Sequence, residues 1–182
     1  REYLADARRY YANIVGKYGM QVQALLKKAA GLDIQMICPL HGPIWRTDLG
    51  WFIDKYDKWS RYEPEDEGVL VAYASIHGHT AAAAKEMAEI LKEKGAGKVV
   101  LCDLSRDDMA EAIEDAFRYD TLLLAGATYN GDVFPWMEAF LHHLKGKNFQ
   151  NRRIGILENG TWAPTAAKAM KAIVEGMKNI RL

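Results

Sequence analysis

The hexapeptide at residues 75–80, Ser-Ile-His-Gly-His-Thr, contains the residue types that point most directly to chemistry. It joins an apolar run at residues 69–74 to an alanine-rich run at residues 81–91 that predicts a helix. The N–H groups of a first helical turn have no partner within the helix and carry partial positive charge, so anions bind there. The loop lacks the glycine spacing of nucleotide-kinase and dinucleotide motifs, and hydroxyls bracket it, which suits the terminal monophosphate that FMN carries. The predicted phosphate-loop residues are Ser75, Ile76, His77, Gly78, His79 and Thr80.

Composition excludes several classes of function. A chain of 182 residues with 49% hydrophobic residues is long and apolar enough to bury a core. Lys and Arg together number 24, and so do Asp and Glu, which gives a formal net charge of zero. The composition therefore provides no overall positive charge that would attract nucleic acid or an acidic membrane. No apolar run approaches the roughly 20 residues that span a bilayer. Cys38 and Cys102 form no C-x-x-C and, without an export signal, predict free thiols in the cytoplasm.

The order of apolar runs and helical patterns predicts an α/β fold. After an acidic linker at residues 63–68, four near-continuous apolar runs alternate with four helical patterns. Strands of this kind are buried on both faces, so we expect a flavodoxin-like, doubly wound parallel sheet over residues 69–182 with strand order 2-1-3-4-5. The chain ends where a fifth strand is due, and we expect that strand to be largely missing.

Residues 1–62 have a different pattern, which is mostly helical. Apolar residues at helical spacing run from Tyr3 to Leu26, with Gly16 or Gly19 as a break, and a second helical pattern covers residues 49–59. We expect one strand at residues 33–38. Sixty residues with one strand make a poor independent domain. Together with the arginine at position 1, this leads us to expect the tail of a neighbouring domain in a piece of a longer protein.

Two further loops follow the third and fourth predicted strands. In an open parallel sheet, ligands bind beyond the carboxyl ends of the strands, where the strand order reverses. Each loop contains a glycine and one large aromatic residue, which suits the flat, apolar ring of a flavin. We therefore predict that all three loops bind FMN. The ring-loop residues are Thr128, Tyr129, Asn130, Gly131, Asp132, Asn159, Gly160, Thr161 and Trp162.

These segments resemble the flavodiiron proteins, a family of oxygen and nitric oxide reductases. The matching segments are the phosphate loop, residues 127–135, residues 158–164, and residues 54–60 before the linker. Residues 39–46, Pro-Leu-His-Gly-Pro-Ile-Trp-Arg, resemble the last metal-ligand segment of that family's metallo-β-lactamase-like domain. The resemblance implies that residues 1–62 end such a domain. It also implies that FMN passes electrons from a redox partner, such as rubredoxin or a reductase, to a diiron site in a head-to-tail homodimer.

His41 lies at the one metal-ligand position that the resemblance assigns to this chain. The family's H-x-E-x-D-H motif is absent from the sequence, and one imidazole cannot hold two irons. We therefore expect FMN as the cofactor, no diiron site in this chain, no catalytic side chain and a metal-free His41. Cys38 gives a C-x-x-H spacing with His41, but there is no second pair, so we expect a small buried thiol rather than a zinc ligand.

Three alternatives stay open. An NAD(P)H-dependent FMN quinone reductase has the same fold and would be an enzyme in its own right. A flavin-free module of the receiver type would need an Asp after the first strand, where this chain has Ser75. A metal-dependent hydrolase fragment centred on His41 lacks its other ligands. Independently, we expect the unpaired sheet edges to be covered by dimerisation or by swapping of elements, because open edges are templates for pairing.

Overall fold

The structure, a computed structural model, describes residues 2–182. Its amino-terminal part is helical, as the sequence predicts. The helices are α1 (Leu4–Tyr10), α2 (Gly19–Ala29) and α3 (Leu49–Ser60). A π-helical turn and a 3-10 turn lie between α1 and α2, and the 3-10 turn begins at Gly16, one of the two predicted breaks. Within residues 2–182, no helix is long and apolar enough to cross a bilayer.

The remainder alternates strands and helices. The elements are β1 (Asp66–Ala74), α4 (His79–Glu93), β2 (Val99–Asp103), α5 (Met109–Arg118), β3 (Tyr119–Tyr129), β4 (Asp132–Val133), α6 (Pro135–Gly146), β5 (Gln150–Asn159), α7 (Ala166–Val174) and β6 (Lys178–Arg181). The sheet has the order β2-β1-β3-β5-β6 with parallel neighbours, and β4 pairs antiparallel with β3. With the short β4 set aside, this is the predicted 2-1-3-4-5 order.

The fifth main strand is short. β6 has four residues and pairs with the first part of β5, from Gln150 opposite Lys178 to Arg153 opposite Arg181. Within the described residues, β5 therefore has no neighbour on this side beyond Arg153. The sequence led us to expect a largely missing strand, and the four residues of β6 form a regular ladder with β5.

The strand expected at residues 33–38 does not form. Ile37 makes a single antiparallel bridge with Trp45, and a strand needs a partner along its length. Cys38 is exposed, so the expectation of a buried thiol is wrong at that position. Cys102, on β2, is buried.

Alternate residues of the strands build two cores. On β1, Leu70 and Ala72 face one side of the sheet, where α5, α6 and α7 pack. Val69 and Val71 face the other side, which α4 covers through Ala84. Burial on both faces explains the near-continuous apolar strands.

A buried ion-pair network fastens the amino-terminal helices to the sheet domain. Arg8, on α1, donates to both carboxylate oxygens of Glu65 in the linker, at 2.7 and 3.0 Å, and to Glu114 on α5. The indole N–H of Trp59 on α3 donates to Glu65 at 2.8 Å. The network ties two helices, the linker and α5 together through charges that are almost fully buried.

A second buried arginine lies at the same end of the sheet, where β1 and β3 begin. Arg152, on β5, donates to the backbone carbonyls of Tyr62, Phe117 and Tyr119, at 2.5, 2.6 and 2.8 Å. These carbonyls belong to the linker side, the end of α5 and the start of β3. Burial lowers the pKa of Arg152 to about 10, so the guanidinium stays charged at neutral pH.

Candidate cofactor-binding site

The carboxyl ends of β1, β3 and β5 surround a cavity of about 340 Å³. This is the switch point, since the chain runs from β1 outward to β2 on one side and to β3 on the other. The cavity is lined by Ser75, Ile76, His77, His79, Thr80, Ala127, Thr128, Asn159, Gly160 and Thr161. The structure thus brings residues of all three predicted loops to one cavity, with Thr128 alone from the second loop, and adds Ala127, which the sequence did not single out.

The first loop has the backbone of a phosphate-binding turn. β1 ends at Ala74, and the N–H of Gly78 donates to the hydroxyl oxygen of Ser75 at 3.0 Å. Gly78 has φ +92°, a conformation that side chains disfavour, and α4 begins at the next residue. A Cβ at Gly78 would meet nothing within 4 Å, so the backbone angle is the reason for glycine at this position.

Four helices begin at this edge of the sheet, and α4 is the one whose first turn is open. Asp108 caps α5 through the N–H of Ala110. α6 begins with Pro135, which has no N–H, and carries Glu138 in its first turn. α4 has no capping side chain and no acidic residue in its first turn. Unpartnered N–H groups and the helix dipole therefore favour an anion at α4.

The start of α7 is closed by protein acceptors. The hydroxyl oxygen of Thr128 accepts hydrogen bonds from the N–H groups of Thr165 and Ala166, at 3.0 and 3.2 Å. Glu158 accepts from the N–H of Ala167 at 2.9 Å. Three of the first donors of α7 are thereby used, which leaves α4 as the anion-binding end.

Three hydroxyl groups in the cavity wall accept hydrogen bonds from the protein and keep their own protons for donation. Ser75 accepts from Gly78, Thr128 accepts from α7, and Thr80 accepts from the side-chain amide of Asn159 at 3.3 Å. A hydroxyl has one proton to donate, and within residues 2–182 none of these three donates to a protein acceptor. Each can therefore donate to a ligand that has acceptor oxygens, and a phosphate carries such oxygens.

The cavity lining contains no permanently charged side chain among the described residues. Its ionisable members are His77 and His79, and both are exposed. An anion here therefore meets hydroxyls, helix N–H groups and two imidazoles, without a carboxylate to repel it.

The second loop is a tight β-hairpin. Asn130 and Gly131 have φ of +51° and +77° and connect β3 to β4, with Tyr129 paired to Asp132. Asn-Gly between strands is a strong local signal for such a turn, and our sequence reasoning did not use it. The Tyr129 ring is half-exposed and lies edge-on to Phe134, with 5.7 Å between ring centroids.

The predicted ring-binding aromatics lie outside the cavity lining. Tyr129, Asn130, Gly131 and Asp132 belong to the hairpin that leaves the end of β3. Trp162 follows the lining residue Thr161 and is 98% exposed. The geometry therefore gathers the polar end of the predicted site into a cavity and leaves its aromatic side chains open to solvent.

A larger cavity of about 510 Å³ lies beside His41 in the amino-terminal part. Its wall is mainly aromatic, and the His41 ring lies 5.1 Å from the Tyr10 ring, centroid to centroid. Across residues 2–182, no group of three or more His, Cys, Asp and Glu side chains is arranged to hold a metal ion. Size alone does not make this cavity the better candidate, because the polar groups that would orient a ligand converge at the sheet edge.

A doubly wound parallel sheet with an anion-suited cavity at its switch point defines a flavodoxin-like α/β protein. Residues 70–179 match the family model described as a flavodoxin domain, and the chain belongs to this family.

Relatives and solved structures confirm the resemblance to flavodiiron-type proteins. The anaerobic nitric oxide reductase flavorubredoxin of Aeromonas hydrophila is 29% identical over 164 residues, which is 88% of this chain and 33% of the relative. Rubredoxin oxygen:oxidoreductase from Desulfovibrio gigas has a similar structure, with a TM-score of 0.85 and 24% identity, covering 95% of this chain and 44% of the other. The flavodiiron protein of Giardia intestinalis gives a TM-score of 0.82 and 24% identity, covering 96% and 46%. The chain therefore spans less than half the length of these proteins.

Proposed function

We propose that residues 69–182 bind FMN and transfer electrons through it. The observation that carries this proposal is the cavity at the switch point, where the open first turn of α4 and three hydroxyl donors converge. The phosphate would be held by Ser75, Thr80 and the N–H groups of α4. The ring would lie toward the β3–β4 hairpin and Trp162. Bound flavin supplies electron uptake and release, and the protein supplies binding, orientation and electrostatics.

We further propose that the chain is the electron-transfer part of a flavodiiron oxygen or nitric oxide reductase. In this assignment residues 1–62 end a metallo-β-lactamase-like domain, residues 63–68 link it to the flavin domain, and His41 is its remaining ligand position. The names of the relatives support the assignment, since they include a nitric oxide reductase and a rubredoxin oxygen:oxidoreductase. A rubredoxin-like protein would deliver the electrons, and a diiron site outside this sequence would receive them.

We propose that the protein is located in the cytoplasm and forms a homodimer. Cys38 and Cys102 are unpaired, which agrees with a reducing compartment. The homodimer is the assembly that the resemblance to the flavodiiron proteins implies. Analytical ultracentrifugation at micromolar concentration tests the assembly, and a stable monomer would contradict the dimer.

The visible absorption spectrum tests FMN binding. The purified protein, given FMN and freed of the excess, should keep bands at about 375 and about 450 nm. Thr80→Val removes one hydroxyl from the cavity and should weaken binding. Thr121→Val makes the same change on β3 at the far edge of the sheet and should not. A wild-type protein that retains no FMN would refute the proposal.

The identity of the electron donor distinguishes this proposal from the alternative that the protein is an NAD(P)H-dependent quinone reductase. Reduced rubredoxin should bleach the bound flavin rapidly, whereas NADH alone should not. Rapid bleaching by NADH without a partner protein would assign the chain to the NAD(P)H-dependent enzymes instead.

A further inference from the structure

We propose that Thr128 is a positioning residue that connects the second predicted loop, which follows β3, to the third, which follows β5. This inference rests on the proposed FMN site. Thr128 lies on β3, shortly before the turn of the hairpin, and pairs with Val133 of β4. Its side chain reaches the other loop, because its hydroxyl oxygen accepts from the N–H groups of Thr165 and Ala166 at the start of α7. One oxygen atom thus connects the strand that carries the hairpin to the helix that ends the third loop.

Close packing at Gly160 supports the same role. A Cβ at Gly160 would lie 2.8 Å from the hydroxyl oxygen of Thr128 and 3.1 Å from the Cα of Pro164. The first distance is shorter than a Cβ tolerates, and the second is a tight contact with a backbone atom. The third loop therefore lies directly against Thr128, and glycine at position 160 is what permits the contact.

The other end of the third loop is tied to the first. The Asn159 amide donates to the hydroxyl oxygen of Thr80 at 3.3 Å, and Thr80 is almost fully buried in α4. The third loop is thus held by Thr80 at its start and by Thr128 beyond Gly160. Loss of Thr128 would release the part of this loop that carries Trp162, while the phosphate end would keep its own contacts.

The test compares Thr128→Val, which keeps the shape of the side chain but has no oxygen, with Thr128→Ser, which keeps the oxygen. Asp108→Ala is the matched control, because it also removes a helix cap but lies at the start of α5, outside the cavity. Three quantities are measured for each protein: the thermal midpoint, the FMN dissociation constant and the flavin midpoint potentials.

Loss of two hydrogen bonds to α7 predicts that Thr128→Val raises the FMN dissociation constant about tenfold. It should also shift the flavin midpoint potentials, and Thr128→Ser should restore both quantities. Asp108→Ala should lower the thermal midpoint to a similar degree and leave both flavin quantities unchanged. The inference is wrong if Thr128→Val only lowers the thermal midpoint, as the cap control does.

Two further measurements keep the test decisive. If Thr128→Val does not fold, Gly160→Ala separates the same two loops from the other side and should weaken FMN binding in the same direction. If the wild-type protein retains no FMN, the proposed function fails, and amide hydrogen exchange then tests Thr128 in the flavin-free protein. Exchange across residues 159–166 should accelerate in Thr128→Val and stay at the wild-type rate in Asp108→Ala, and equal rates in both would overturn the inference.

Discussion

Replacement of Glu65 by Gln should destabilise the protein strongly at neutral pH and much less in acid. The Glu65 side chain is 3% exposed and is contacted by Arg8 at 2.7 Å, by the Trp59 indole at 2.8 Å and by Lys55 at 3.1 Å. Burial by itself would raise the pKa of this carboxyl group. The hydrogen bonds from Arg8 and Trp59 and the charge of Arg8 outweigh burial and lower the pKa to about 2.

The magnitude follows from the difference between the folded and unfolded pKa values. A decrease from the ordinary 4.5 to about 2 corresponds to about 3 kcal/mol of stability at pH 7. Because the folded pKa is the lower one, this stability is present above about pH 4.5 and is lost as the pH falls toward about 2. At about pH 3 roughly 1 kcal/mol of it remains.

Urea unfolding of wild type and Glu65→Gln at pH 7 and pH 3 provides the assay, with the midpoint and slope fitted separately. The variant should lose about 3 kcal/mol at pH 7 and about 1 kcal/mol at pH 3. Glu114→Gln is the matched control in the same network. Burial outweighs Arg8 there and raises the pKa of Glu114, so removing its charge at pH 7 should cost little or stabilise. Equal losses for Glu65→Gln at both pH values would refute the reasoning.

Three other predictions concern single sites. Arg152→Met should cost about 3 kcal/mol in urea unfolding, because three buried carbonyls lose their donor; a loss below about 1 kcal/mol would contradict this. Gly78→Ala should cost about 1–2 kcal/mol and weaken FMN binding, because φ is +92° there. Gly50→Ala in the first turn of α3, where a Cβ meets no other atom within 4 Å, should instead stabilise. Losses of equal size in both variants would disprove the assignment to backbone strain. Burial raises the pKa of Cys102 to about 12, so a thiol reagent at pH 8 should modify the exposed Cys38 alone until denaturant is added; prompt modification of both would show that Cys102 is accessible.

Periodicity along the chain was sufficient to predict the sheet domain. Strands buried on both faces must be apolar throughout, and that pattern, alternating with helices, has few stable topologies. The prediction failed at residues 33–38, where Ile37 makes a single bridge with Trp45 and the segment remains irregular. It also did not anticipate that the last residues would form a regular ladder with β5, because strand pairing depends on a neighbour that is distant in sequence.

Residue order was sufficient to predict which loops lie close together, and the arrangement of their side chains required the structure. Loops that follow parallel strands must meet at one edge, so residue order alone placed the phosphate loop beside Thr128 and Asn159. The hairpin at Asn130 and Gly131 was also readable, because its signal is local.

Local sequence does not encode which hydrogen-bonding groups already have a partner in the folded protein. That Thr128 closes α7, that α4 stays open and that Trp162 is exposed depend on contacts between residues brought together by folding. The same holds for Arg8 and Glu114, which lie 106 residues apart in the chain. Their pairing arises because α1 packs against α5, and side-chain partners across such a separation are chosen by packing rather than by spacing.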